Sequence, residues 1–143
     1  MSARGLVTCL VLALSACGAS GPTSPTPNVP LAEPFTLRVG DLAHVDSALA
    51  VRVDGIPADS RCPTDVNCIT GGDATVEVVI GPVVGDGPER LYELHTGPDN
   101  ARREVGIVGG RRLVLVSLEP LPKSGAELRQ ADYRTTLRIE RAE

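Results

Sequence analysis

From Phe35 onward, apolar and polar residues alternate with a period of two. Phe35, Leu37 and Val39 alternate with Thr36 and Arg38, and Leu49, Val51 and Val53 alternate with Ala50, Arg52 and Asp54. Val76, Val78 and Ile80 share one face while Glu77 points the other way, and Tyr92 and Leu94 sit between Arg90, Glu93 and His95. The clearest run is the last, where Tyr133, Thr135, Leu137 and Ile139 alternate with Arg134, Thr136, Arg138 and Glu140. Strands that bury one face and wet the other read this way, which predicts antiparallel pairing. Leu113-Val114-Leu115-Val116 is apolar on both faces and belongs in the middle of a sheet. Gly109-Gly110, between Val105–Val108 and Arg111–Leu118, predicts a two-residue hairpin turn, because glycine supplies positive φ. No window carries a helical period. Ser124–Gln130 offers at most one turn, with Ser124 as cap and Glu127 three residues on.

About seven short strands separated by Gly, Pro and Asp predict an all-β domain. The expected architecture is a small antiparallel two-sheet β-sandwich of immunoglobulin-like character over residues 34–143, with a small β-barrel as the alternative.

Upstream the pattern changes. Leu6 to Ala16 is uncharged, lacks proline and follows Arg4. It is too short for the roughly 20 residues a helix needs to cross a bilayer, so residues 1–16 read as a cleavable signal peptide. The closing Leu14-Ser15-Ala16-Cys17 resembles a bacterial lipobox. That resemblance implies a thioether-linked diacylglycerol on Cys17, which becomes the new N-terminus. Two or more acyl chains anchor stably where one does not. Gly18 to Pro30 carries Pro22, Pro25, Pro27 and Pro30 with no apolar periodicity, so residues 17–33 are expected to form a lipidated cysteine and a proline-rich tether. Such a stalk could hold the domain up to about 40 Å from the membrane. The expected address is the extracytoplasmic side of the cell membrane or outer membrane.

Composition narrows the function classes. The 143-residue chain has 14 Lys+Arg against 18 Asp+Glu, a net charge of −4, and loss of Arg4 with the signal makes it more acidic. That balance argues against a nucleic-acid partner. Aromatics are limited to Phe35, Tyr92 and Tyr133, without tryptophan, so the core must be built from Val, Leu, Ile and Ala. The means for stacking sugars or bases are poor.

Of four cysteines, Cys9 leaves with the signal and Cys17 goes to lipid. Cys62 and Cys68 remain, in an oxidising compartment, and are expected to form a disulfide. The small ring they close contributes roughly 2 kcal/mol on the chain-entropy model. A redox pair is the rival reading, but redox motifs usually hold two residues between the cysteines and open a helix. The surrounding stretch, Asp59 to Asp73, is the densest polar cluster in the chain. Its string D-S-R-C-P-x4-C-[IV]-x-x-G resembles a signature of small bacterial lipoproteins of uncharacterised function. Leu113, Leu115, Leu118, Pro120, Pro122 and Tyr133 fit the later part of the same pattern, and the likeness spans most of residues 34–141. In that family an aromatic, commonly Trp, is expected after the second cysteine; this chain has Ile69. The resemblance brings no activity with it.

Three readings of the cluster compete. It is a disulfide-closed connection with Asp59 and Asp73 making turn hydrogen bonds. Or it is a calcium site drawing on Asp54, Asp59, Asp65, Asn67 and Asp73, although the spacing is not that of an EF-hand. Or it is a binding loop made of Asp59, Arg61, Asp65, Asn67 and Asp73, stiffened by the disulfide so that docking orders little. Catalytic parts are scarce. His44 and His95 are isolated, no serine sits in a G-x-S-x-G elbow, and no H-E-x-x-H is present. No catalytic residue, metal ligand or cofactor is assigned. Arg102-Arg103 and Arg111-Arg112 read as solvated charges that keep a hairpin from pairing edge to edge. The expected function is a non-enzymatic binding or interaction module of the cell envelope, joined to the membrane by its lipid and meeting an envelope protein or ligand. A passive structural lipoprotein is the alternative, followed by a hydrolase or a calcium-dependent module.

Overall fold

The computed structural model describes residues 25–97 and 102–143. Residues 1–16, read as a signal peptide, Cys17 and residues 18–24 of the expected tether lie outside the described residues. Nine strands lie within them: β1 Asn28–Val29, β2 Pro34–Leu37, β3 Leu42–Val45, β4 Leu49–Asp59, β5 Ala74–Pro82, β6 Arg90–His95, β7 Glu104–Ile107, β8 Arg111–Glu119 and β9 Arg134–Arg141. They form two open sheets, ordered β1-β3-β4-β5-β6 and β2-β9-β8-β7. The fold is therefore an all-β sandwich rather than a closed barrel.

The alternating residues behave as their pattern requires. Val51 and Val53 of β4, Val76 and Val78 of β5, Leu113 of β8, and Leu137 and Ile139 of β9 have no accessible surface. Two bulges keep the pattern in step. In β4 the register shifts between Val53 and Gly55 and again between Gly55 and Ala58, so Ile56, three residues after Val53, also faces the core. In β8 the shift lies between Leu115 and Ser117, and Leu118 turns inward while Val116 is left exposed. Without the extra residue, every later side chain would face the wrong side. β8 does lie centrally, between β9 and β7.

Several local expectations change. The β7–β8 connection has three residues, Val108 to Gly110, since Ile107 pairs with Arg111; both glycines have positive φ, at 76° and 64°. Ser124–Gly125 is a turn, and a 3-10 turn follows at Gln130–Asp132. β1 and β3 were not foreseen. β1 runs parallel to β3, with Asn28 opposite His44, and Pro27 O and Val29 O accept from the N–H groups of His44 and Asp46. Leu31 packs against the core and Ala32 N–H donates to Ile139 O. The stretch from Pro27 to Glu33, read as tether, thus belongs to the folded domain.

The sandwich has two distinct ends. β4 runs from Leu49 to Asp59, and Asp59 pairs with Ala74 of β5. The loop joining these two strands caps what we call the disulfide end. The far end carries the β3–β4 turn, the β5–β6 loop and the β7–β8 hairpin.

Candidate functional site

Ladder bonds continue past β4 and β5 into the base of their loop. Ser60 N–H donates to Asp73 O at 2.7 Å and Cys62 N–H to Gly71 O at 3.0 Å. Gly72 is required here: its φ is +65°, and a Cβ would fall 1.8 Å from Ser60 O. The Cys62–Cys68 disulfide, Cα–Cα 5.9 Å, closes the ring above this base. Thr64 N–H donates to Pro122 O at 3.0 Å, and Asp65 accepts from Ser124 N–H at 2.9 Å, so the segment after β8 is zipped along the loop's flank.

Beneath the ring lies a buried charge clamp. Asp59 and Arg61 meet bidentately, Nε–Oδ1 2.9 Å and Nη2–Oδ2 2.7 Å, with side chains 10% and 7% exposed. The remaining guanidinium hydrogens reach the other sheet's strand end, Nη1 donating to Leu118 O at 2.6 Å and Nη2 to Pro120 O at 2.9 Å. The Tyr133 hydroxyl donates to Asp59 Oδ2 at 3.0 Å. Burial by itself would raise the pKa of Asp59, but the hydrogen bonds and charge of Arg61, with Tyr133, outweigh it and hold the carboxyl below its ordinary value. Burial, then the Asp59 hydrogen bond, pushes the Tyr133 phenol up to about 12. A buried ion pair of this kind is tolerable only because its hydrogen-bonding capacity is so fully met.

The five residues read as a binding loop separate into three groups. Asp59 and Arg61 are turned inward. Asp65 and Asn67 are exposed, Asp65 with its pKa lowered chiefly by the Ser124 N–H. Asp73 belongs to another cluster. Its Oδ2 lies 2.6 Å from His95 Nδ1, and its Oδ1 accepts from Gly97 N–H at 2.7 Å and from the Thr96 hydroxyl at 3.3 Å. Burial pushes the Asp73 pKa up, but the His95 and Gly97 bonds win and the net direction is down. Arg102 Nη2 lies 2.8 Å from His95 Nε2. Arg can only donate, so Nε2 accepts and Nδ1 carries the hydrogen offered to Asp73. The nitrogen that a catalytic dyad would present to a nucleophile is thus occupied by a guanidinium. Among the described residues, no three His, Cys, Asp or Glu side chains converge to hold a metal ion.

Other contacts were not foreseen in the sequence. His95 is not isolated but sits between Asp73 and Arg102. Arg103 Nη2 donates to Thr96 O at 2.9 Å, Arg111 lies 3.8 Å from Asp46, and Arg112 bridges Glu104 and Glu140. The arginine pairs are therefore engaged with neighbouring groups. The Gln130 side-chain amide clasps the backbone of Ile56, accepting from its N–H at 2.9 Å and donating to its O at 2.8 Å. It satisfies the groups that the β4 bulges leave unpaired. Strand spacing says nothing of such partners, which lie from 7 to 74 residues apart in the chain.

Beside the exposed Asp65 and Asn67, the disulfide end presents three apolar side chains outward. Ile69, directly after the second cysteine, is fully exposed (105%), with Val66 at 46% and Leu121 on the adjoining segment at 48%. A cleft of about 290 Å³ opens between the loop and β8, lined by Cys62, Gly72, Arg103, Val116 and Leu121 among others. Comparison with family models, curated proteins and solved structures finds no match for this chain.

Proposed function

We propose that the chain is a lipid-anchored, extracytoplasmic, non-enzymatic binding module of the cell envelope, and that it makes contact through the tip of its disulfide loop. The observation that carries this reading is the full exposure of Ile69 on a loop fixed from below by the ring, by Gly72 and by the Asp59–Arg61 clamp. Single exposed apolar residues are ordinary on protein surfaces. Here three share one end, on backbone already ordered, so a partner meets a rigid apolar surface and little conformational freedom is lost on docking. The polar signature residues Asp59 and Arg61 serve the scaffold and not the contact.

A photoreactive side chain placed at position 69 of the full-length protein in cells tests this. One dominant adduct is expected. A diffuse pattern indistinguishable from that of the same side chain at Val84, which is 86% exposed at the far end, would favour a passive structural role. Intact-mass analysis tests the anchor, and an unmodified thiol at Cys17 would remove it.

A further inference from the structure

We infer that the surface met by the disulfide-loop tip is the lipid surface of the membrane that holds the anchor. This deepens the contact reading above and rests on Cys17 being the lipidated N-terminus.

The argument starts from the direction in which the chain enters the domain. Asn28, His44, Ala50 and Gly81 stand at one level across the first sheet. β1 is parallel to β3, and both run toward the far end. The chain before Asn28 therefore approaches from the disulfide side. From the level of Gly81, β5 reaches Ala74 at the disulfide end in seven residues, about 24 Å at strand spacing. Eleven residue-to-residue steps lead from Cys17 to Asn28, at most about 40 Å even fully extended. Along that heading the lipidated residue can lie no more than about 15 Å past the level of Asp59 and Ala74, and the loop of residues 60–73 itself projects into this space. The docking of β1 takes the last residues of the spacer, which was read as a stalk of about 40 Å, into the sheet and so limits the distance left between the anchor and the domain. The disulfide end thus faces the bilayer at close range.

The chemistry of that end suits a lipid interface. Ile69, Val66 and Leu121 project apolar surface, as interfacial membrane contacts require. Asp59 is turned inward onto Arg61, and Asp65 lies in the field of Lys123 and takes the Ser124 N–H. The tip can therefore approach headgroups without stripping water from Asp59, while the exposed Asp65 stays at the headgroup level beside Lys123.

The test uses the lipidated full-length protein in vesicles of phosphatidylethanolamine and phosphatidylglycerol, with a photoreactive side chain at position 69 or, separately, at position 84. The protein is expected to float with the vesicles, and position 69 should yield lipid adducts at least about five-fold more abundant than position 84. Flotation with equal adducts at both positions, or none at 69, overturns the membrane assignment. If position 69 then gives a single protein adduct in cells, the contact surface stands with a different partner; if it gives none, both readings fall. Failure to float overturns the anchor and this inference with it.

Discussion

The two ends of the sandwich are closed by different means. At the disulfide end, a buried guanidinium ties three segments together: Asp59 at the end of β4, the carbonyls of Leu118 and Pro120 at the end of β8, and Tyr133 before β9 through the shared carboxylate. At the far end the corresponding ion pair, Arg111–Asp46, spans 3.8 Å with Asp46 54% exposed, and the surface beside it is an apolar groove of about 250 Å³ lined by Leu49, Ile80, Pro82, Pro88 and Val108 among others. The contrast is one of dielectric. A charge removed from water must be matched group by group, whereas a wet pair contributes little. The disulfide end is thus built to hold a shape, and its exposed tip inherits that rigidity.

The largest effect should come from breaking the clamp. Arg61→Met leaves Asp59 buried without its cation and is expected to cost about 3–5 kcal/mol in urea unfolding. Arg111→Met at the far end should stay within about 0.5 kcal/mol. Acidity sharpens the difference. The lowered pKa of Asp59 means that its stabilisation is full above its ordinary value of 3.8 and disappears as pH falls through the lower folded value. In Arg61→Met the sign reverses, because an unpaired buried carboxylate prefers the proton. The gap between variant and wild type should therefore narrow as pH falls from 7 toward 4. A gap that stays constant over that range would mean the pair is not what stabilises this end.

Opening the ring comes next. Cys62→Ser with Cys68→Ser should cost about 2 kcal/mol, seen as a lower melting temperature that no longer responds to reductant. A smaller change, of opposite sign, is expected in the core between the ends. Thr135 has no accessible surface and its hydroxyl has no partner. Thr135→Val keeps the shape and should stabilise by about 1 kcal/mol in the same unfolding assay. Ile69→Ser should change stability least, by less than about 0.5 kcal/mol, while weakening the contact at the tip as read by a photoreactive side chain placed at Val66 instead. A large loss of stability there would show that Ile69 is a packing residue.

The legible parts of this fold were those governed by short-range periodicity. β9, β5 and the first half of β4 follow their alternation residue by residue, because each buries one face against a single core. β3 was illegible: it is four residues long and puts Ala43 where a branched residue would have signalled a strand. β1 is two residues among prolines and exists only because β3 offers it hydrogen-bonding groups. The candidate site was half legible. The spacing of Cys62 and Cys68 in a chain read as exported pointed to the ring, but nothing local distinguishes an arginine that clamps two sheets from one that greets solvent. Arg61 and Asp65 lie four positions apart with opposite fates.

Alternation, turn residues and cysteine spacing were enough by themselves to determine an all-β domain with a ring-closed loop, since each of those signals arises within a few residues of chain. Only the tertiary structure decided which charges are inside, that Gln130 completes a bulged strand, that His95 has partners on both nitrogens, and that the chain enters along β1 from the disulfide side. Those outcomes depend on groups 7 to 74 positions apart being brought within 3 Å, and no local pattern encodes a distance that the folding of the whole chain creates.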